Sequence, residues 1–225
     1  MAPAKLVPVV GRQLKAAHGL ARAGVASAGA GVEAARALDA KPPGGWISNG
    51  QVDVEAVRRA AAALSKAAPL ATEAFVTVEE TPGSFLFPPL ARARATAVER
   101  MTSAHSSIEK AAAGLAAAPG MLGADGPKRY LVLFSNLAEL RGTGGFYGFH
   151  AFLTADHGRI SIGEPGRPRD DLPPLSSVEE SAPDWFRETW GPRGAFGLWQ
   201  DLNLSSDFPT VASIAARAAG TDGVI

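Results

Sequence analysis

The sequence contains no cysteine, no excess of either charge and no long hydrophobic run. Without cysteine, the chain has no disulfides, no thiolate nucleophile and no sulfur ligands for zinc. Its 22 basic side chains balance its 22 acidic ones, which argues against a nucleic-acid-binding protein. No apolar run approaches the roughly 20 residues that span a bilayer, and no secretory signal pattern opens the chain, so we expect this chain by itself to be soluble.

What remains is the composition of a globular protein. The chain has 225 residues, of which 46% are hydrophobic and 20% charged, enough for one large or two small domains. The pattern of apolar residues changes near residue 120. We therefore predict two regions, 1–120 and 121–225.

Residues 1–120 are rich in alanine, and their apolar residues recur at alternating spacings of three and four. This period predicts three long helices that pack closely, because alanine lets helix axes approach. Proline and glycine in residues 41–51 and 81–89 mark the breaks between them, and Asp53 is the predicted N-cap of the second helix. The predicted packing positions are Val7, Val10, Leu14, Ala17, Ala21, Val25, Ala28 and Val32 in the first helix; Val54, Val57, Ala61, Leu64, Ala68, Ala71, Phe75 and Val78 in the second; and Met101, Ile108 and Leu115 in the third.

Residues 121–225 have short apolar runs bounded by turn residues, which are typical of buried strands. We predict one strand at 130–136 and two more within 146–164, joined at Asp156-His157-Gly158. A proline-rich loop is expected at 165–184, a helix at 204–220 and a further strand at the final "TDGVI". The chain is thus predicted to be an α+β protein, with long helices followed by an incomplete mixed-sheet α/β domain.

The stretch "SNLAELRGTGGFYG" at residues 135–148 is the main candidate for chemistry. Its glycines fit neither the GxGxxG nor the GxxxxGK spacing, and the residues after them are strand-like rather than helical. These differences exclude a dinucleotide fingerprint and a Walker loop. Two alternatives remain, an anion-binding loop of another kind and a tight connection between two strands.

Under the first alternative, Arg141 presents its guanidinium to a phosphate or carboxylate, beside the backbone amides of Gly142, Gly144 and Gly145. Glu139 then orients Arg141 or supplies oxygen to a divalent metal. Under the second, Glu139 and Arg141 form an internal ion pair, and the glycines permit a bulge or close packing. The residues alone do not choose between these structures.

Other polar residues carry weaker signals. The four histidines have no partner at ligand spacing, and no GxSxG or HExxH signature is present. Asp201 and Asp207 flank "LNLSSDFP", where one of them is expected to cap the following helix and Asp207 is a candidate magnesium ligand.

The segments "YLVLFSNLAELRGTGG", "DLNLSSDFPTVA" and "TDGVI" resemble the bacterial domain of unknown function 4012 family, which is found largely in actinobacteria. The resemblance covers residues 119–225. Members of that family carry a transmembrane helix upstream, and their domain continues further downstream. The resemblance therefore implies a fragment of a membrane-anchored protein whose bulk lies on the extracytoplasmic face of the cell membrane.

A more distant similarity concerns the order of a strand, an arginine-bearing loop and an acidic loop before a helix. This order resembles the LytR, CpsA and Psr enzymes, which transfer glycopolymers from polyprenyl-pyrophosphate carriers with the help of arginines, acidic residues and magnesium. Only Arg141 and Asp207 can be placed on that pattern, and the similarity is one of fold level.

Two functions follow as hypotheses. The first is a cell-envelope protein in surface polysaccharide or glycopolymer assembly, with Arg141 and Glu139 acting on a polyprenyl-pyrophosphate-linked glycan in the presence of magnesium. The second is a noncatalytic extracellular binding or scaffolding module, in which the same residues are structural.

Overall fold

The computed structural model describes residues 6–142 and 144–225. The chain divides into two compact units. The first comprises residues 1–49 and 53–120, and the second comprises residues 50–52 and 121–225. Long helices followed by a mixed sheet confirm the predicted α+β class.

The first unit is built from α1 (Leu6–Asp39), α2 (Val54–Glu80) and α3 (Pro88–Met121), which confirms the three predicted helices. Asp53 caps α2 as expected, since its Oδ1 accepts a hydrogen bond from the Ala56 amide at 2.8 Å. Across the part of the chain that the structure describes, no helix is both long and apolar enough to cross a bilayer.

Small residues form the contact between α1 and α2. Ala16, Ala23 and Ala30 of α1 are buried, as are Ala60 and Ala67 of α2. Because these side chains are short, the two helices approach closely over many turns. The predicted packing series of α2 is correct in its main positions, since Val57, Leu64, Ala71 and Val78 are all buried.

The predicted packing series of α1 is wrong. Val10, Leu14, Val25 and Val32 are exposed to solvent, whereas the alanines on the opposite side of the helix are buried. The side chain of Val7 lies outside the described residues. The period correctly indicated a helix, but α1 carries two apolar stripes, and α2 packs against the stripe of smaller residues because it allows the closer approach.

The third helix contributes longer side chains to the same unit. Ile108 and Leu115 are partly buried against the α1 and α2 core, in agreement with their predicted packing role. The His105 ring stacks on Phe75 with centroids 4.9 Å apart. His105 is therefore a packed histidine.

The sheet contains β1 (Ile47–Ser48), β2 (Gln51–Val52), β3 (Lys128–Arg141), β4 (Gly144–Asp156), β5 (Arg159–Ile162) and β6 (Gly223–Val224). Its strand order is β1-β2-β5-β4-β3-β6. β6 pairs with β3 in parallel, and β3, β4 and β5 form an antiparallel meander. The sheet is therefore mixed, as predicted, and β6 confirms the expected strand in "TDGVI".

The turn between β4 and β5 lies where the sequence predicted it. His157 and Gly158 have φ values of 47° and 83°, the pair of positive angles that a type I′ hairpin turn requires. β3 and β4 are longer than predicted and run to Arg141 and from Gly144. Register shifts after Phe134 and after Asn136 mark irregularities in this long hairpin.

The segment predicted as a proline-rich loop contains regular structure. It includes α4 (Pro168–Asp171) and a 3-10 helix at Leu175–Ser181, and it is followed by α5 (Asp184–Trp190). Proline is compatible with the first turn of a helix, so the composition alone was misleading. A further 3-10 helix at Trp199–Leu204 precedes α6 (Phe208–Ala219), so the predicted helix begins four residues later than expected.

These helices cover one side of the sheet and form the core of the second unit. Fully or almost fully buried side chains include Leu131 of β3, Phe186 of α5, Leu202 of the 3-10 helix before α6 and Val211 of α6. Trp199 is buried as well and donates from Nε1 to the Pro173 carbonyl at 2.9 Å. Trp199 therefore belongs to the core.

Candidate functional site

The glycine-rich stretch is a tight connection between two antiparallel strands. Arg141 at the end of β3 pairs directly with Gly144 at the start of β4. Gly142 lies in the turn, and Thr143 lies outside the described residues. This geometry corresponds to the second of the two alternatives that the sequence left open.

Two of the turn glycines are required by close packing. A Cβ at Gly142 would lie 2.4 Å from the Leu204 carbonyl oxygen, and one at Gly145 would lie 2.3 Å from the Asn136 carbonyl oxygen. Gly144 instead has a φ of 125°, a conformation that favours glycine. The three glycines therefore have structural reasons to be glycine.

Asn203 holds the turn against the helical layer. Its side chain is fully buried, and its Nδ2 donates to the Gly145 carbonyl at 2.5 Å. The Gly145 amide in turn donates to Ser135 Oγ at 2.9 Å. Both backbone polar groups of Gly145 are thus satisfied by side chains, which fixes the turn beside residues 203–205.

Arg141 lies at this junction and contacts Asp201. Its Nη2 is 3.7 Å from Asp201 Oδ1, and the two side chains are 28% and 31% exposed. Its Cζ also lies 5.8 Å from the centre of the Phe146 ring. The acidic residue beside Arg141 is therefore Asp201, sixty residues away in sequence, whereas the sequence suggested Glu139.

The other predicted site residues lie in different surroundings. Glu139 is exposed on β3. Asp207 is the N-cap residue of α6, as predicted for one of the two aspartates, but its Oδ2 accepts from the Thr210 hydroxyl at 2.8 Å rather than from a helix amide. Among residues 6–142 and 144–225, no group of three or more acidic or histidine side chains could hold a metal ion.

A pocket of about 500 Å³ opens beside this junction, within the second unit. Its apolar wall is formed by three aromatic rings, those of Phe134, Phe146 and Phe149. Phe134 and Phe149 are 42% and 50% exposed, so their rings are available to a ligand. The volume is in the range of small-molecule sites.

Polar groups from three segments complete the pocket wall. Arg167, which precedes α4, and Gln200, which precedes Asp201, line it together with Ser135 and Asn136. In the described chain, Gln200 Oε1 is buried without a hydrogen-bond donor. An apolar wall, a guanidinium and an available amide oxygen would suit a ligand with an apolar part and an anionic, hydroxyl-bearing part.

Part of this pocket lies in the stretch 135–148 that the sequence indicated, which supplies Ser135, Asn136, Phe146 and Gly148. The other lining residues were not predicted: Phe134 and Phe149 have the pattern of ordinary strand residues, and Arg167 lies in the segment predicted as a loop. The sequence contained one indication of the pocket, since aromatic residues occur at corresponding places in β3 and β4. Their partners at positions 167 and 200 come close only through the fold.

These features define an α+β protein whose second unit presents an aromatic pocket beside an arginine–aspartate pair. The sequence model of the family described as "Protein of unknown function (DUF4012)" matches residues 125–224, which is less than half of the chain. Comparisons with curated proteins and with solved structures give no match.

Proposed function

We propose that this chain is part of a cell-envelope protein that assists surface polysaccharide or glycopolymer assembly, and that its second unit binds a polyprenyl-pyrophosphate-linked glycan. The observation that carries the proposal is the pocket with three aromatic rings and Arg167 in its wall. A lipid pyrophosphate combines an apolar chain with a compact anionic group, which matches this combination of side chains.

The aromatic wall would take the apolar part of the ligand. Phe134 and Phe149 already expose a large share of their surface to water. Covering apolar surface contributes roughly 25 cal/mol per Å². Binding here would therefore be driven by removal of both the rings and the ligand chain from water.

The arginines would take the pyrophosphate. A guanidinium binds phosphate oxygens in a fork, and it keeps its charge at any physiological pH. Arg141 lies over the Phe146 ring, which itself lines the pocket. Because the Arg141–Asp201 pair is long and partly exposed, we expect a phosphate to compete with Asp201 for Arg141.

A transfer reaction would require more than binding. In that form of the proposal, Arg141 neutralises the charge that develops on the diphosphate, and the carboxylate of Glu139 helps to orient the Arg141 guanidinium. Magnesium at phosphate sites is commonly held by one or two carboxylates together with phosphate oxygens. Glu139 and Asp207 are the proposed carboxylates, but the binding proposal does not depend on the ion.

The resemblance to membrane-anchored family members supports a place for the full-length protein at the extracytoplasmic face of the cell membrane. The similar order of strand, arginine and acidic segment in the LytR, CpsA and Psr enzymes supports the lipid-pyrophosphate substrate. Both supports are similarities to other proteins, whereas the pocket is a feature of this chain itself.

The direct test is a titration of the chain with farnesyl pyrophosphate, a short polyprenyl diphosphate, with binding followed by calorimetry. We expect it to bind more tightly than inorganic pyrophosphate or farnesol, because each of these lacks one half of the recognised chemistry. Arg141→Gln and Arg167→Gln should each weaken binding by roughly 5-fold to 100-fold, as expected for charge-assisted contacts of about 1–3 kcal/mol.

Arg159→Gln is the matched control, since it removes the same charge from an exposed position on β5. It should leave the affinity unchanged. Absence of farnesyl pyrophosphate binding by the unchanged chain, or equal losses in all three variants, would contradict the proposal.

A noncatalytic binding or scaffolding module is the second candidate. The observation that favours it is that Arg141 already contacts Asp201 and that Gly142 and Gly145 are packed against backbone. Under this function the turn only shapes the surface. The titration separates the two candidates, because a scaffold would bind none of the three probes.

A further inference from the structure

The connection between α2 and α3 presents two aromatic rings to solvent. It spans residues 81–87, and its apolar part continues into the first two residues of α3, which are both proline. Phe85 is 81% exposed and Phe87 is 60% exposed. No other large apolar side chain in the described part of the chain is as exposed as Phe85. We call residues 85–89 the aromatic tip.

A side chain of α1 holds the aromatic tip in one conformation. The Nε2 of Gln13 donates to the Phe85 carbonyl at 2.8 Å, and the Oε1 of Gln13 accepts from the Phe87 amide at 3.0 Å. Phe85 has a φ of 58°, a backbone conformation that is uncommon and strained for a bulky residue. The two bonds to Gln13 stabilise this conformation. The fold therefore fixes the Phe85 ring in an exposed position.

A second contact fixes the base of the connection. The Nε of Arg94 on α3 donates to the Thr81 carbonyl at 2.8 Å. Thr81 is itself buried, and its side chain packs beside Gly19 of α1. The connection is thus bound to α1 and to α3. The exposure of its two rings follows from these contacts rather than from a loose loop.

Two fixed and exposed rings indicate a partner outside the first unit, because an aromatic ring is stabilised by leaving water. The tip protrudes, so a rigid partner would need a cavity that matches it, whereas a fluid partner can close around it. Aromatic side chains are enriched where lipid headgroups meet acyl chains. At that depth the rings leave water while the polar backbone beside them remains hydrated.

The charges near the aromatic tip match a negatively charged surface. Residues 1–32 and 81–98 contain no aspartate or glutamate. Their cations include Arg12, Lys15 and Arg92, which are all exposed. The Cζ of Arg12 lies 5.6 Å from the centre of the Phe85 ring, so a positive charge lies directly beside the apolar surface. The nearest acids in sequence are the last two residues of α2, and the cations outnumber them.

We propose that the aromatic tip is a membrane-contact site, which inserts Phe85 and Phe87 into the interface of an anionic bilayer. The rings lie among the lipid headgroups, and the neighbouring guanidinium and ammonium groups contact the lipid phosphates. Two rings bind a bilayer only weakly, so insertion and charge attraction act together. The site belongs to the first unit and does not depend on the ligand of the pocket in the second unit.

The binding test is flotation of the chain with vesicles of equal parts phosphatidylglycerol and phosphatidylcholine. We expect the unchanged chain to bind at about 1 mM lipid, and to bind less to pure phosphatidylcholine or at about 0.5 M salt, which screens charges. Phe85→Ser should weaken the partition at least about 5-fold. Leu38→Ser is the matched control, because Leu38 is 76% exposed in the last turn of α1, at the opposite end of that helix from Gln13. It should leave the partition unchanged, and circular dichroism checks that each variant is folded.

The insertion test uses the absence of cysteine, so that an introduced thiol carries the only label. Ser84→Cys, next to Phe85, and Ser103→Cys, on α3, each replace an exposed serine and keep both rings of the tip. A polarity-sensitive dye at position 84 should shift its emission to shorter wavelength when the anionic vesicles are added. The same dye at position 103 should not.

Three results would each overturn the proposal. The first is an unchanged chain that does not float with the anionic vesicles, which would point to a protein as the partner of the tip. The second is an equal partition of the Phe85→Ser and Leu38→Ser variants. The third is an equal shift of the dye at positions 84 and 103.

Discussion

The buried amide of Asn203 is hydrogen-bonded to the backbone of Gly145, from Nδ2 to the carbonyl oxygen at 2.5 Å. This bond connects the 3-10 helix before α6 to the first residues of β4. Both groups are buried, so neither can exchange its partner for bulk water. The bond therefore has a structural role that can be measured.

We expect Asn203→Ala to lower the free energy of unfolding by about 1–3 kcal/mol, because the Gly145 carbonyl would lose its donor while remaining buried. Urea denaturation monitored by tryptophan fluorescence measures this change. Ser206→Ala, at an exposed position three residues later, should change stability by less than about 0.5 kcal/mol. Equal effects of the two substitutions would argue against the bond.

Gly145→Ala should be more damaging than Gly148→Ala, although both glycines lie in β4. A Cβ at position 145 would lie 2.3 Å from the Asn136 carbonyl oxygen, whereas the nearest atoms to a Cβ at position 148 are ring carbons of Phe146 at 3.9 Å. Overpacking against backbone should cost about 1–3 kcal/mol or more at position 145. Thermal unfolding of the two variants tests this, and an equal or larger loss for Gly148→Ala would contradict it.

The Arg141–Asp201 pair should contribute little to stability, because both side chains are nearly one-third exposed and 3.7 Å separates the charged atoms. In a double-mutant cycle with Arg141→Ala and Asp201→Ala, we expect a coupling energy below about 1 kcal/mol. A coupling of several kcal/mol would instead indicate a dominant structural pair. That result would favour the scaffolding function.

The pH dependence of stability should include a contribution from Asp222. Hydrogen bonds from the Lys128 side chain and the Arg129 amide lower the pKa of Asp222 below its ordinary value of 3.8. The unfolded chain therefore takes up the proton more readily than the folded chain. The resulting stabilisation is fully present above the ordinary pKa and is lost as the pH falls through the lowered pKa of the folded state.

Asp222→Asn tests this contribution. The variant should be less stable than the unchanged chain at about pH 6, and the difference should shrink as the pH approaches about 2. Urea midpoints of both proteins across this range provide the measurement. A difference that is constant with pH would show that the Asp222 charge does not stabilise the fold.

Alanine substitutions at two glycines of α1 should change the stability of the protein in opposite directions. At Gly11 nothing lies within 4 Å of an added Cβ, so Gly11→Ala should stabilise the helix by roughly 0.5–1 kcal/mol through its higher helix propensity. At Gly19 the added Cβ would lie 2.3 Å from Oγ1 of the buried Thr81, so Gly19→Ala should destabilise the unit. Melting temperatures at low protein concentration measure both effects. If both variants melt at a higher temperature, or both at a lower one, the result would contradict the packing of α1 on Thr81.

Most of the secondary structure could be predicted from the sequence. The period of apolar residues located the three helices, turn residues located the β4–β5 hairpin, and the short apolar runs located β3 and β6. These features depend on neighbours within a few positions, where steric limits on the backbone and the 3.6-residue and two-residue periods act directly. The family resemblance was likewise carried by contiguous motifs, and the match over residues 125–224 confirms it.

The tertiary structure decided which of several possible surfaces became an interface. In α1 both stripes are apolar, and the sequence pattern favoured the larger residues. The alanine stripe is the one that packs on α2. Close approach of two helices depends on the fit between both of their surfaces, so the residue pattern of one helix alone does not predict it.

The candidate site also depends on contacts between distant parts of the chain. Arg141 meets Asp201, Gly142 lies against the backbone of Leu204, and the pocket joins strand residues to Arg167 and Gln200. A sequence shows which side chains can carry charge or stack, and it indicated Arg141 on that basis. Which partner neutralises a charge, and which aromatic rings remain exposed, is decided only when folding brings these separate segments together.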